Sequence, residues 1–125
     1  MKEIKKIKNF TDLIVWQKAH LLVLEIYKIT KLFPKEETYG LINQMRRAVI
    51  SITSNIAEGF GRQGYKEKIQ FYFIASGSLA ELENQILVAR DLKYFSPTQE
   101  IFVLCDDVYK LLNGLISASK KRKQY

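Results

Sequence analysis

The segment from Gly59 to Gly64 carries the local pattern most typical of phosphate chemistry. It reads GFGRQG, which matches G-x-G-x-x-G directly before a predicted helix. A dinucleotide-binding loop follows a strand, but here a helix is predicted before the glycines, and Tyr65 stands where a P-loop has lysine. We interpret the segment as a turn with a glycine helix cap. A second interpretation stays open, in which backbone N–H groups opening the next helix hold a phosphate of a nucleic acid. The nearby cations are Arg62, Lys66 and Lys68.

Metal chemistry is the next possibility, because helical bundles can hold two metals between facing carboxylates and histidines. The usual pattern is Glu-x-x-His on each of two helices. The single histidine, His20, is preceded three residues earlier by Gln17, so this motif is absent. We expect the glutamates to be solvated or ion-paired, and we expect no metal and no other cofactor. The glutamates considered are Glu25, Glu58, Glu81 and Glu83.

Nucleophilic catalysis would have to use His20 with a cysteine or serine. His20 lies among apolar neighbours, and Cys105 follows Leu104 in a pattern typical of a small core residue. We therefore expect no enzymatic activity. A single cysteine cannot form an internal disulfide, which favours a reducing cytoplasm. The first apolar stretch is interrupted by Gln17 and Lys18, so we predict no export or membrane-spanning segment.

The adjacent pair Arg46 and Arg47 admits two interpretations. Neighbouring residues of a helix cannot point in the same direction, so at least one of these side chains is directed towards the edge or interior of the fold. It then needs a partner, for which Asn55, Glu58 and the glutamates of the third helix are candidates. The alternative is phosphate binding by the planar guanidinium group.

The net charge of +7 lies at the two ends of the 125-residue chain. Residues 1–9 carry +3 and residues 120–125 carry +4, whereas residues 10–119 contain twelve basic and twelve acidic side chains. A high isoelectric point therefore does not mean a basic folded body. We predict one domain over residues 1–125, with flexible basic ends at 1–9 and 120–125.

Apolar residues recur at spacings of three and four along the whole chain, which predicts four helices. The first begins near Thr11 or Asp12 and ends before Pro34, and the second runs from about Tyr39 to Gly59. Their predicted core stripes are Val15, Ala19, Leu22, Ile26, Ile29 and Phe33, and Ile42, Met45, Val49, Ile52 and Ile56.

The third helix is predicted from about Tyr65 to Tyr94, and the fourth begins at Ser96 and Pro97, a typical N-cap and first-turn pair. Their predicted stripes are Phe71, Ala75, Ser78, Leu82, Ala89 and Leu92, and Ile101, Leu104, Val108, Leu111 and Leu115. Four helices with short connections and no strand pattern predict an all-α, antiparallel up-and-down four-helix bundle.

The first helix also carries apolar residues away from its core stripe, namely Ile14, Leu21 and Leu24. One interpretation is that this helix meets another subunit of a homo-oligomer, and the other is a deeply buried helix. The sequence pattern leaves both open.

Several runs resemble one family closely. They are residues 13–20 (LIVWQKAH), 33–34 (FP), 39–41 (YGL), 44–48 (QMRRA), 51–59 (SITSNIAEG) and 75–83 (ASGSLAELE). These runs are similar to those of the four-helix-bundle proteins of the 23S rRNA intervening sequence family. The resemblance covers about two thirds of the chain, from residue 10 to residue 94, and the fourth helix agrees only in pattern.

The resemblance implies a four-helix bundle that assembles into a homopentamer. A related group, the accessory variability determinant of diversity-generating retroelements, is similar in fold and works as a basic, nucleic-acid-binding oligomer. We therefore expect a non-enzymatic oligomer that binds RNA or DNA through phosphate contacts, and the alternative is a protein-interaction adaptor. The candidate nucleic-acid contacts are Lys5, Lys6, Lys8, Arg46, Arg47, Arg62, Lys66, Lys68, Lys120, Lys121, Arg122 and Lys123.

Overall fold

The computed structural model describes residues 6–122, which form four α-helices and no β-strand. A short 3₁₀ turn at Phe10–Asp12 precedes the first helix. The helices are α1 (Ile14–Thr30), α2 (Asn43–Gly61), α3 (Tyr65–Asp91) and α4 (Gln99–Arg122). The predicted all-helical class is therefore confirmed. None of these helices, within the described residues, is long and apolar enough to cross a membrane.

The helices pack around one hydrophobic core. Helices α1 and α3 each pack against both α2 and α4, and the contact between α2 and α3 is the most extensive. Each fully buried aliphatic side chain of this core contributes about 1.5–3 kcal/mol relative to an exposed position. The largest fully buried side chains include Leu22, Ile26, Met45, Ile52, Ile56, Leu79, Leu82, Ile86 and Leu112.

The connection from α1 to α2 differs from the prediction. Helix α1 ends at Thr30 rather than at Phe33, although the Phe33 side chain is buried. The predicted start of α2 at Tyr39 is a π-helical turn over Thr38–Ile42, in which Gly40 has non-helical dihedral angles. The Glu37 side chain occupies the space beside Gly40, where a Cβ would lie 2.7 Å from Glu37 Oε1. The regular helix therefore begins only at Asn43.

Two predicted core stripes are displaced by one residue at several positions. In α3 the buried residues include Tyr72 and Leu79 rather than Phe71 and Ser78, and Leu92 is exposed. In α4 the buried residues are Ile101, Cys105, Val108, Leu112, Ile116 and Ser119, while Leu104, Leu111 and Leu115 are half-buried. Both helices carry apolar residues on each side of the buried arc, so the three-four spacing alone does not identify its centre.

The connections α1–α2 and α3–α4 contact each other through an aromatic cluster formed by Phe33, Glu37, Tyr94 and Phe95. The ring centroid of Phe33 lies 5.5 Å from that of Tyr94 and 5.6 Å from that of Phe95. The Tyr94 hydroxyl donates a 2.9 Å hydrogen bond to Glu37 Oε2. Lys93, with φ of 65°, lies in the left-handed region and ends α3, and the Tyr94 N–H donates to the Ala89 carbonyl at 3.0 Å.

Two helices expose apolar faces. On α1, Ile14, Leu21 and Leu24 are between 54% and 60% exposed, as expected for residues opposite the core stripe. On α3 a second apolar face, absent from the sequence predictions, runs along the helix from Phe73 to Val88 and includes the small exposed residues Gly77 and Ala80. Its large apolar members are Phe73, Ile74, Leu87 and Val88.

Candidate nucleic-acid interface

Three basic segments that are far apart in sequence meet at one end of α2. The N-terminal segment, the start of α3 and the last turns of α4 line a common cavity of about 390 Å³, together with Phe60 of α2. The residues lining it are Ile7, Leu13, Phe60, Lys68, Leu115, Ala118, Ser119 and Arg122. We call the cations carried by these segments and by the α2–α3 connection the basic cluster: Lys6, Lys8, Arg62, Lys66, Lys68, Lys120, Lys121 and Arg122.

The N-terminal segment is held by hydrogen bonds and by ring contacts. Asp12 Oδ2 accepts the backbone N–H groups of Lys8 and Asn9, each at 3.0 Å. The Phe10 ring meets the Trp16 ring of α1 edge-on at 5.5 Å between centroids. The Lys8 backbone is therefore bonded to the short 3₁₀ turn that precedes α1, which places Lys8 close to the start of that helix.

The α2–α3 connection is shorter than expected. Helix α2 continues through Gly61, so only residues 62–64 separate the two helices. Neither Gly61 nor Gly64 adopts a positive φ, and the residue that caps α2 is Arg62 in an extended conformation, which corrects the predicted glycine cap. Gly59 has a packing role instead: a Cβ there would lie 2.6 Å from Tyr72 Cε1 of α3. The two helices therefore approach closely directly before the basic turn.

Lys68 acts as a C-terminal cap for α2. Its Nζ donates to the carbonyls of Phe60 at 2.7 Å and Gly59 at 3.2 Å in the last turn of the helix, and the Gly59 carbonyl also accepts the Arg62 N–H at 3.2 Å. The positive charge also stabilises the negative end of the helix dipole. Burial, and then the neighbouring charge of Arg122, lowers the pKa of Lys68 below its usual value. Lys68 is therefore a structural cation placed within the basic cluster.

The basic C-terminal run belongs largely to α4. Lys120, Lys121 and Arg122, placed by sequence in a flexible end, form the last turn of this helix. Cations in this position interact favourably with the helix dipole, so the basic run can continue the helix. Lys120 Nζ lies 5.7 Å from the centroid of the Phe73 ring of α3. Lys5 and Lys123, two further predicted contacts, lie outside the described residues.

The basic cluster is not neutralised locally. Among the described residues, the acidic side chains in the same segments are Asp12, Glu58 and Glu67, against eight cations. Glu58 lies 3.2 Å from the Arg62 guanidinium and Glu67 lies 4.0 Å from it, so both carboxylates face the same arginine. Exposed pairs of this kind contribute little stability. Lys66 and Lys121 are exposed, and their charges are available to an anionic partner.

Arg46 and Arg47 do not join the basic cluster, because they lie near the other end of α2. Arg46 is half-buried, its Nε donates to Thr30 Oγ1 at 2.9 Å, and its guanidinium carbon lies 4.6 Å from the Tyr27 ring centroid. The inward arginine thus has its partners on α1, which corrects the expected pairing with Asn55 or glutamates. Arg47 is exposed.

The groups considered for catalysis have other roles in the described chain. Cys105 is buried, and this burial, together with the Glu83 charge, raises the pKa of its thiol to about 12. The thiol is therefore protonated at neutral pH and is a poor nucleophile. The His20 ring stacks on Trp16 at 4.8 Å. Within residues 6–122, no group of three or more His, Cys, Asp or Glu side chains is arranged to hold a metal ion.

Sequence reasoning missed a polar contact between α2 and α3. Ser51 Oγ and Ser78 Oγ lie 2.7 Å apart, and Asn55 Nδ2 donates to Ser51 Oγ at 3.0 Å and to its carbonyl at 2.8 Å. The signal was present, because Ser51 and Asn55 are four residues apart and therefore share one helix face. Which residue of α3 would meet them depends on packing. This contact fixes the register between α2 and α3 and so helps to position the basic turn.

Comparison with known proteins agrees with this fold. The chain is similar to a solved structure described as a protein with unknown function from the S23 ribosomal protein family of Bacteroides thetaiotaomicron. The two share 22% sequence identity with a TM-score of 0.74, over 83% of this chain and 96% of that chain. At this identity the likeness establishes the fold alone. No curated protein matches the chain.

The family model for the 23S rRNA-intervening sequence protein matches residues 11–114. The match includes all of α1, α2 and α3 and most of α4, and thus extends into the fourth helix, where the sequence resemblance was one of pattern only. It ends before the last turn of α4. Since the model covers most of the chain, this protein belongs to the 23S rRNA-intervening sequence protein family.

Proposed function

We propose that this protein is a non-enzymatic, oligomeric helical bundle that binds RNA or DNA through contacts to phosphate groups. The observation that carries this proposal is the basic cluster, in which three separate segments and the α2–α3 connection bring eight cations to one end of α2 with three nearby carboxylates. Clustered lysine and arginine side chains bind the nucleic-acid backbone largely without regard to sequence. The name of the family, which refers to 23S rRNA, is consistent with such a partner.

Oligomerisation would strengthen this binding. We propose an antiparallel up-and-down bundle that forms a homopentamer, as the family resemblance implies. The packing of α1 and α3 between α2 and α4 supports this arrangement, and the exposed apolar faces of α1 and α3 supply surface for contacts between copies. Two different faces on one chain suit a head-to-tail contact that closes into a ring. Repeated basic clusters would then raise the effective concentration for a long polyanion.

The setting we propose is the cytoplasm, where a single buried cysteine stays reduced. The likeness in fold to the accessory variability determinant of diversity-generating retroelements belongs to the same proposal, since that group works as a basic oligomer with nucleic acid. No catalytic step is part of the proposed function.

The test is a titration of labelled single-stranded RNA with the protein over a series of salt concentrations. A first variant replaces Lys66, Lys120 and Lys121 by alanine, and a matched control replaces Lys28, Lys31 and Lys35, three exposed lysines at the other end of α2. Both variants lose the same charge. If all three lysines contact phosphates, the first should reduce the slope of log affinity against log salt by about 2 to 3.

The control variant should retain most of the original slope. Equal losses in the two variants would show that net charge, not the basic cluster, drives binding. No RNA or DNA binding at low salt would remove the proposal, and capture of a specific protein with weak salt dependence would favour the adaptor alternative. Sedimentation of the same samples measures the mass, which for a pentamer is five times 14.6 kDa.

A further inference from the structure

The cavity within the basic cluster combines an apolar interior with two cations. Ile7, Leu13, Phe60 and Leu115 supply apolar side chains, and Lys68 and Arg122 supply the charge. Its volume of about 390 Å³ falls within the range of small-molecule sites, at the lower end. An apolar lining alone would suit any apolar ligand. The two cations favour a ligand that also carries a negative charge.

The two cations influence each other without an intervening carboxylate among the residues that line the cavity. Lys68 is fixed by its bonds to two carbonyls, which occupy two of the three N–H groups of its ammonium and leave one for another acceptor. Burial and the charge of Arg122 both lower the pKa of Lys68, so an anion placed between them would relieve an unfavourable interaction. The Arg122 guanidinium has no ion pair with a described residue.

We propose that this cavity receives one unpaired base of a single-stranded nucleic acid and that Lys68 and Arg122 bind the phosphate beside it. An aromatic side chain, the half-buried Phe60, lines the cavity, and a base that enters can stack against the part of this ring that Lys68 does not cover, since Lys68 Nζ lies over the ring at 5.5 Å from its centroid. A paired base inside a duplex cannot enter such a cavity without leaving the stack.

This inference rests on the proposed function and adds to it a preference for single-stranded over double-stranded nucleic acid. The exposed lysines can contact the phosphates of single strands and of duplexes alike. The cavity, in contrast, can receive only a base that is not paired. We expect the protein to bind a short single-stranded RNA about tenfold more tightly than the duplex formed with its complement, at equal salt and equal strand length.

The experiment fills the cavity without changing charge. Ala118 lines the cavity on α4, and Ala118→Trp places a large ring there, while Ser117→Trp places the same ring on an adjacent exposed position that does not line it. Circular dichroism and sedimentation check that each variant keeps the fold and mass of the parent. Anisotropy of the labelled single strand and of the duplex then gives the two affinities.

Ala118→Trp should lose the preference for single strands and retain duplex binding, and Ser117→Trp should keep both. Equal affinity of the parent protein for the two forms, with a steep salt dependence, would overturn the cavity proposal and leave the phosphate-binding function standing. A preserved preference in a folded Ala118→Trp variant would also overturn it. Failure of the parent to bind either form would overturn both proposals, and binding of anionic lipid vesicles in their place would identify a different class of ligand.

Discussion

The two ends of α2 use positive charge in different ways. Near Asn43, Arg46 donates to Thr30 and stacks on Tyr27, and in the aromatic cluster Tyr94 donates to the Glu37 carboxylate. Arg46 and Glu37 thus have partners within the chain, whereas Arg47 at the same end is exposed. Near Gly61, about 28 Å away along the helix axis, eight cations face three carboxylates and several of them are exposed.

Both ends nevertheless follow the same electrostatic rule. The C-terminal carbonyls of α1 and α2 are each approached by a cation from another helix, since the Arg46 guanidinium lies 3.5 Å from the Tyr27 carbonyl and Lys68 donates to the Phe60 carbonyl. Each of these cations compensates a helix end. The difference is one of degree: near Asn43, Arg46 is held in structural contacts while Arg47 and three lysines are exposed, whereas near Gly61 eight cations lie with three carboxylates. An excess of this kind is what a polyanionic partner can use.

The largest expected effect on stability is at Gly59. Replacing Gly59 by alanine would bring a Cβ within 2.6 Å of the Tyr72 ring and 3.1 Å of Phe71 Cβ, so α2 and α3 must separate. We expect the free energy of unfolding to fall by about 2 kcal/mol. Urea unfolding followed by circular dichroism measures this change.

Gly61→Ala is the matched control, because no atom lies within 4 Å of the added Cβ. Alanine at this helical position should leave stability unchanged or raise it by up to about 1 kcal/mol. Similar losses for the two variants would contradict the close contact between Gly59 and Tyr72.

The second effect is expected at the other end of α2. Arg46→Ala removes the bond to Thr30 Oγ1 and the contact with the Tyr27 ring. We expect a loss of about 1.5 kcal/mol in the free energy of unfolding, typical of a hydrogen bond to a charged group. Thermal and urea unfolding of the variant measure it.

Arg47→Ala, at the exposed neighbouring position, should change stability by less than about 0.5 kcal/mol. Both variants should keep the parent affinity for RNA if Arg46 and Arg47 serve no phosphate contact. A stable Arg46→Ala variant with weakened RNA binding would instead place part of the nucleic-acid interface at this end and remove the contrast between the two ends.

The smallest effect concerns pH at the aromatic cluster. The hydrogen bond to Glu37 raises the pKa of Tyr94 above its usual value of 10.0, with burial adding to the shift. The folded state therefore holds this proton more tightly than the unfolded state, and the resulting stability is present below pH 10 and is lost as the pH rises through the folded pKa. Tyr94→Phe should thus lower the melting temperature at neutral pH, with a difference that shrinks above pH 10.

A variant with the same melting temperature as the parent at neutral pH would show that Tyr94 acts by packing against Phe33 rather than through its hydroxyl, because Tyr94→Phe keeps the ring. Tyr109→Phe, at an exposed position on α4, serves as the control for removal of a phenol.

Local pattern predicted the helices well, because the three-four spacing of Val15, Ala19, Leu22 and Ile26 reflects a property of the helix itself. Local spacing gave wrong predictions where packing between elements decides which residues are buried and where a helix begins. Tyr72 rather than Phe71 is buried because α3 packs between α2 and α4, and the non-helical dihedral angles of Gly40 place the start of regular α2 at Asn43.

The candidate site was predicted in part. The basic residues were identified from charge alone, and Arg46 and Arg47, which were grouped with them, lie near the opposite end of α2 from the basic cluster. Spacing along the chain showed that at least one of the two arginines is directed towards the edge or interior, but the partner of Arg46, Thr30, lies sixteen residues earlier on another helix. Lys68 gave no sequence signal for its capping role, since the carbonyls that it binds become neighbours only when α2 and α3 pack.

The sequence by itself determined the helical class, most core residues of α1 and α2 and the concentration of excess charge at residues 1–9 and 120–125. These follow from local periodicity and from counting charges. Only the tertiary structure decided that the N-terminal segment, the start of α3 and the last turns of α4 line one cavity and form one basic cluster. The reason is physical: helix formation depends on residues three and four apart, whereas the meeting of these segments depends on how complete helices pack.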